Sequence, residues 1–184
     1  MDKYYKNPFN YIGAKYKLLP QILPLFPSEI DTFVDMFGGS GEVSVNVKAN
    51  KIVYNDKNKP LVNILKNLDD SFIEEVETTI DYFNLGKYNK EEFLNCRSFY
   101  NTNKNTLSDR EKAILLYCLL THAFNYQIGF NSKEEYNMPS GYGRSYFSPQ
   151  LKSKLEQYIK RIKEIDIYFY SEDFHNLNLN QDKN

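Results

Sequence analysis

The chain has 184 residues, 41% hydrophobic and 16% aromatic, which is enough apolar material to bury a core in one domain, or a domain with an insert, and excludes a disordered protein. Its formal net charge of −1 argues against a polycation that coats nucleic acid indiscriminately. No segment combines a basic start, an apolar run and a small-residue cleavage site, and no apolar run approaches membrane-spanning length, so a soluble, cytoplasmic protein is expected.

In chain order, Leu18, Leu19, Ile22 and Leu23 give a short helical stripe, with Pro20 tolerable only in the first turn. The run from Thr32 to Phe37 reads as an apolar strand, followed at once by Gly38-Gly39-Ser40-Gly41. Residues 42–48 then look helical, and 51–56 form a second strand that ends in Asp56. Strand, glycine turn, helix and strand make a βαβ unit, so a parallel α/β sheet is expected.

From residue 69 to 165 the pattern is helical. Ser71 with Glu74 forms a capping box ahead of one apolar face, Asn89 with Glu92 opens a second helix, and Ser108 with Glu111 a third. The third, from Ala113 to Phe124, is apolar nearly all round and is expected to be buried. Residues 131–147, with Pro139, Gly141 and Gly143, read as a hairpin or turn-rich loop, and Ser148-Pro149 starts a last amphipathic helix. A third strand follows at 166–170, then a polar tail. The expected organisation is a cofactor-binding unit from 1–68 and 165–184, interrupted by an insert at 69–164.

Charge follows this division in part. Residues 87–163 hold thirteen Lys or Arg and seven Asp or Glu, a local +6 against −7 elsewhere. That fits a phosphate-facing insert, and equally the solvated faces of ordinary helices. Cys96 and Cys118 fall outside CxxC or Cys/His ligand spacing, so they read as reduced packing residues. His122 lies one turn after Cys118, but two ligands make a poor metal site, and a hydrogen-bonded core histidine is the expectation.

The residues that carry chemistry surround the glycine turn. Gly39 and Gly41 after a strand let a ligand approach the backbone at the carboxyl edge of the sheet. The turn nearly fits a dinucleotide pattern, so an NAD-dependent enzyme is one reading. Asp35 counts against it, because a carboxylate there repels a pyrophosphate and suits the ammonium and sulfonium of S-adenosylmethionine. Asp56, at the end of the next strand, is placed to accept hydrogen bonds from both hydroxyls of a ribose. For both acids the competing role is structural, as a turn or cap acceptor.

Three ordered motifs, Asn10-Tyr-Ile-Gly-Ala-Lys15, Phe33-Val-Asp35-Met-Phe-Gly-Gly-Ser-Gly41 and Tyr54-Asn-Asp56, resemble the opening elements of Dam-type DNA adenine-N6 methyltransferases. The segments at Lys90, at His122-Ala-Phe124-Asn125 and from Asn137-Met-Pro to Phe147 are similar to that family's DNA-recognition insert, most closely in its phage-encoded members. The resemblance covers nearly the whole chain. It implies an α/β fold, an incomplete Rossmann-like S-adenosylmethionine methyltransferase sheet with a helical DNA-recognition insert, acting on double-stranded DNA. It implies that Tyr11 packs against the cofactor, Lys15 hydrogen-bonds around its methionine end, Asp56 holds the ribose, and Phe174 and Asp173 meet the adenine ring. In the insert it implies phosphate or base contacts for Lys133, Asn137 and Arg144, and a helix end beside the target base for Phe124 and Asn125.

Two departures matter. Close relatives place a base-reading arginine where this chain has Gly129, so no recognition sequence carries over. Enzymes of this family bond the amino group of a flipped adenine to an Asp-Pro-Pro-Tyr element, yet the prolines at 8, 20, 24, 27, 60, 139 and 149 include no adjacent pair. Asn7-Pro-Phe-Asn10 resembles that element only in part and reads as the lead-in to the lysine motif. No catalytic residue is therefore assigned. The expectation is a truncated or split N-terminal part of such an enzyme, inactive alone; in the split case a separate C-terminal half carries the catalytic element. The alternative from another class is a DNA-binding or regulatory module without catalysis.

Overall fold

The computed structural model describes residues 4–9, 11 and 13–177. Asn10 of the lysine motif and the tail beyond residue 177 lie outside the described residues.

Three parallel strands form the sheet: β1 (Thr32–Asp35), β2 (Lys51–Asn55) and β3 (Ile167–Tyr170), in the order β1-β2-β3. Asp35 pairs with Tyr54, and Asn55 with Tyr170, so the three carboxyl ends lie along one edge. Strand β2 is buried by its neighbours, as its Ile-Val-Tyr run requires of a central strand. Ahead of the sheet, helix α1 (Leu19–Ile22) sits between two 3-10 turns, with Pro20 in its first turn as the sequence demands.

The helix expected at 42–48 is absent. Val45 and Val47 donate to the carbonyls of Gly41 and Val43 at 2.9 Å, and the chain passes through successive turns that do not propagate. Three β-branched valines at alternate positions disfavour helix, and burial of Val45 and Val47 offsets what the missing ladder would have supplied.

A helix not anticipated from the sequence follows β2. Helix α2 (Lys59–Lys66) is capped by Asn58, whose side chain accepts from the N–H of Leu61, and Pro60 lies in its first turn. Helix α3 (Phe72–Tyr82) is not opened by the expected Ser71/Glu74 box. Asp69 Oδ1 accepts from the N–H groups of Ser71 and Phe72 at 3.1 Å, and the Ser71 hydroxyl turns to Glu75. Arg110 selects this arrangement: it ion-pairs with Asp69 and Glu75 and lies over the Phe72 ring. Asn89 likewise does not cap helix α4 (Lys90–Asn103), because its amide donates back to the carbonyl of Asn84.

Helix α5 (Asp109–His122) carries the expected reciprocal capping box between Ser108 and Glu111, and every residue from Ala113 to His122 is buried. Helices α2, α3 and α4 pack around it. Cys96 and Cys118 are free and buried, and burial pushes the Cys96 thiol up to about 12. His122 is buried with Nδ1 2.8 Å from the Cys118 carbonyl, and desolvation lowers its pKa. Helix α6 (Pro149–Glu164), capped by Ser148, returns the chain to β3. One buried cluster runs from Tyr54 and Val45 through α2 and α5 to Tyr158 on α6. Among the described residues no helix is long and apolar enough to cross a membrane.

Candidate functional site

Because the strands are parallel, their carboxyl ends deliver three loops to one place. Asp35 is the last residue of β1, Asp56 follows β2, and residues 171–174 follow β3. Buried Asn55 ties these loops together. Its amide donates to the carbonyls of Met36 (3.2 Å) and Glu172 (3.1 Å), and its oxygen accepts from the N–H of Glu172 (2.9 Å). Sequence reasoning passed over Asn55, since only a fold that brings residues 36, 55 and 172 together gives it a role.

The glycine turn sits against this edge. Gly39 and Gly41 have φ of +51° and +74°, a region that L side chains enter only under strain. A Cβ on Gly39 would meet the Tyr11 ring at 3.1 Å, and one on Gly41 would meet the Tyr158 hydroxyl at 2.5 Å. That hydroxyl donates to the Ser40 carbonyl at 3.0 Å, and the Tyr54 hydroxyl to that of Gly39. Asp56 closes the turn: Oδ2 accepts from the N–H of Gly39 and Oδ1 from that of Asn58, both at 2.8 Å. The turn-acceptor role weighed for Asp56 is thus present, and a carboxylate's remaining lone pairs stay available for a ligand hydroxyl. Asp35 accepts from the Ser44 hydroxyl at 2.6 Å. Burial raises its pKa, the Ser44 bond opposes that, and the nearby charge of Asp56 adds to the rise.

The N-terminal element docks onto the same turn. Buried Glu42 accepts from the N–H of Tyr16 at 2.7 Å and from the Asn7 amide, while the Asn7 oxygen accepts from the N–H of Phe9 at 2.8 Å. Asn7-Pro-Phe is thereby fastened beside Gly41. Tyr11 is partly buried against Gly39, and burial, with the charge of Asp56, raises its phenol pKa. Lys15 is exposed and donates to the Gly13 carbonyl.

At the third loop Asp173 pairs with Lys57 (3.1 Å) and His175 (2.8 Å), and its bond to His175, followed by that to Lys57, holds its carboxyl down at about 2. The Phe174 ring lies 5.6 Å from that of Phe37. Phe37 is 72% exposed, an apolar ring left in solvent at the mouth of the site, and sequence reasoning did not single it out. Its signal was an aromatic directly before a glycine turn.

The insert residues form a separate group around the end of α5. The N–H of Phe124 donates to the Pro139 carbonyl and that of Gly141 to the His122 carbonyl, both at 2.8 Å, which fastens the 137–147 loop to the helix end. A Cβ on Gly141 would lie 2.7 Å from the Ala123 carbonyl, so only glycine permits this approach. Helix α4 holds the other side: Arg97 donates to the Met138 carbonyl (2.9 Å), and Asn101 exchanges hydrogen bonds with the Tyr136 backbone (2.8 and 3.0 Å). Phe124, Asn125, Lys133, Asn137 and Arg144 are exposed, and Asn125 adopts φ of +54°. At Gly129 a Cβ would strike the end of the Met138 side chain at 2.4 Å, so any longer residue there requires Met138 to move.

The sequence matches known proteins along its length. It is 43% identical over 184 residues to the type II methyltransferase M.FokI of Planomicrobium okeanokoites, covering 98% of this chain and 27% of that protein. It is 41% identical over 187 residues to the modification methylase StsI of Streptococcus sanguinis, covering 97% of this chain and 28% of that protein. To a DNA adenine methylase of Serratia marcescens it is 30% identical over 142 residues, covering 74% of this chain and 50% of that protein. The chain spans little more than a quarter of the first two relatives' length. The profile of the D12 class N6 adenine-specific DNA methyltransferases matches residues 11–184, and the chain belongs to that family.

Proposed function

We propose that the chain forms the S-adenosylmethionine-binding and DNA-recognition part of an enzyme that methylates N6 of adenine in double-stranded DNA. The observation that carries this is the meeting of three parallel strand ends, bearing Asp35, Asp56 and Asp173-Phe174, around a glycine turn with two residues at positive φ. We read this as the ligand edge of an incomplete Rossmann-like cofactor-binding domain spanning 1–68 and 165–184, with 69–164 as the insert.

The residues fit the cofactor chemically. Two glycines leave room at the backbone, Asp56 keeps acceptor capacity beyond its two backbone bonds, and Asp35 offers negative charge to an ammonium or sulfonium. Tyr11 covers one side of the turn and the Phe37/Phe174 pair offers ring faces for an adenine, and exposed Lys15 is assigned to hydrogen-bond around the methionine end. When bound, S-adenosylmethionine supplies a methyl group on a sulfonium. A pyrophosphate-bearing nucleotide suits the site poorly, because the Asp35 carboxylate at the end of β1 would repel it. On the insert, Lys133, Asn137 and Arg144 contact DNA, with Phe124 and Asn125 beside the target base, and the excess of positive charge from 87 to 163 favours phosphate approach.

Transfer to adenine also requires a group that orients the exocyclic amine and receives its proton, and no Asp-Pro-Pro-Tyr element occurs in these 184 residues. Cofactor and DNA binding supply proximity without that alignment. A segment carrying the element completes the enzyme, whether in the same polypeptide or another. The test is tritium transfer from labelled S-adenosylmethionine to unmethylated DNA. The 184-residue chain is expected to stay at background, and the chain joined to the Asp-Pro-Pro-Tyr-bearing segment of a D12-class relative to methylate adenine. Robust methylation by the 184 residues alone contradicts the proposal. A joined protein that folds and binds both ligands but transfers nothing supports the DNA-binding module, the reading favoured by the missing element.

A further inference from the structure

A group of exposed rings and cations spans the 141–146 turn of the 137–147 loop and the segment before α4, and apart from Arg144 its residues have no role so far. The segment between α3 and α4 brings Lys87 and Tyr88 against the turn at 141–146. The carbonyl of Lys87 accepts from the N–H of Gly143 at 2.7 Å, and the rings of Tyr88 and Tyr142 meet edge to face at 5.8 Å. The Lys87 ammonium lies 5.6 Å from the Tyr88 ring centroid and 5.8 Å from that of Tyr146. Tyr88 and Tyr142 are 64% and 58% exposed, and Arg144, in the same turn, is exposed as well.

Packing does not account for these side chains. Tyrosine rings bury their faces when the fold allows, yet Tyr88 and Tyr142 leave most of their surface in water, and Lys87 lies against Tyr88. Among the described residues neither Lys87 nor Arg144 forms an ion pair, so both charges remain available to a ligand. The Gly143 bond to Lys87 joins two segments more than fifty residues apart into one surface, continuous with the loop fastened to the end of α5. Unneutralised cations interleaved with tyrosines match the sugar-phosphate backbone, with ammonium and guanidinium on phosphates, phenol hydroxyls donating to phosphate oxygens and ring faces on the sugars.

We infer that Lys87 and Tyr88, together with Tyr142 and Tyr146, form a second DNA-contacting element that grips the duplex backbone beside the Arg144 loop. This rests on the insert being the DNA-binding part of the chain. Lys87 and Arg144 set the salt dependence of binding, and the tyrosines add contacts that salt does not screen.

Fluorescence anisotropy of the 184-residue chain with a labelled duplex, titrated across salt concentrations, separates these roles. Lys87→Ala is expected to weaken binding and to reduce the slope of log affinity against log salt by about 0.9, the value of one phosphate contact. Lys87→Arg should restore the slope. Tyr88→Phe, which keeps the ring and loses the hydroxyl, should weaken binding roughly fivefold, equivalent to about 1 kcal/mol, with the slope unchanged. Unaltered melting temperatures show that each variant folds. If Arg144→Ala weakens binding while Lys87→Ala and Tyr88→Phe match the parent in affinity and slope, this inference is wrong and the assignment of the loop stands. If the parent binds no duplex, the assignment of the insert fails, and this inference with it.

Discussion

Gly41→Ala is expected to be among the most damaging single substitutions in the chain. The new methyl would sit 2.5 Å from the Tyr158 hydroxyl, and the residue would have to hold φ of +74°. A non-glycine residue in the left-handed region costs about 1–2 kcal/mol, and overpacking beside a buried ring adds about 1–3 kcal/mol. The loss should therefore be about 2–5 kcal/mol in denaturant unfolding, a large fraction of the roughly 5–15 kcal/mol that holds an ordinary domain folded. Tyr158→Phe separates the two causes. It removes the oxygen that the methyl strikes and leaves the Ser40 carbonyl without its donor, a cost of about 1 kcal/mol. In that background Gly41→Ala should cost only the backbone strain, so the two changes couple favourably. Equal midpoints for Gly41→Ala and the parent would show that the turn yields more readily than its geometry implies.

Asp56→Ala acts on both folding and ligand. In the free protein it strips the acceptor from the N–H groups of Gly39 and Asn58, which loosens the glycine turn and the start of α2 together. Because the carboxylate is only partly buried, water can replace part of this, and about 1–2 kcal/mol of stability should be lost. Binding of S-adenosylhomocysteine should weaken by about a further 1–3 kcal/mol if the carboxylate also holds a ribose. Asp56→Asn retains one acceptor oxygen and should fall between the two. A variant that melts lower but binds with the parent's affinity would confine Asp56 to the turn.

Much of the fold was legible because its signals are local. The three strands announce themselves as short apolar runs, α5 through its reciprocal capping box and ten consecutive buried residues, and α6 through Ser148-Pro149. The failures share a cause in competition from distant partners. Ser71 has the sequence of a cap, but Arg110, 39 residues away, draws Asp69 and Glu75 into a different arrangement. Residues 42–48 stand where a βαβ unit places its helix, yet Ser44 spends its hydroxyl on Asp35 and Val45 and Val47 turn inward. At the candidate site the glycines and strand-end acids could be picked out by type and position. Asn55 and Glu42, which fix the loops carrying them, could not, because their partners lie 117 and 35 residues away. Phe37 was legible in principle, as an aromatic beside the turn, but only its exposure distinguishes it from a core residue.

The central claim is that the edge formed by Asp35, the glycine turn and Asp56 is a site for S-adenosylmethionine. Calorimetric titration of the 184-residue chain with S-adenosylmethionine, S-adenosylhomocysteine and NAD tests it most directly. Saturable binding of the first two at one site per chain is expected, weakened by Asp35→Ala, with no heat from NAD. Binding of NAD together with silence toward both methyl-donor ligands would contradict it.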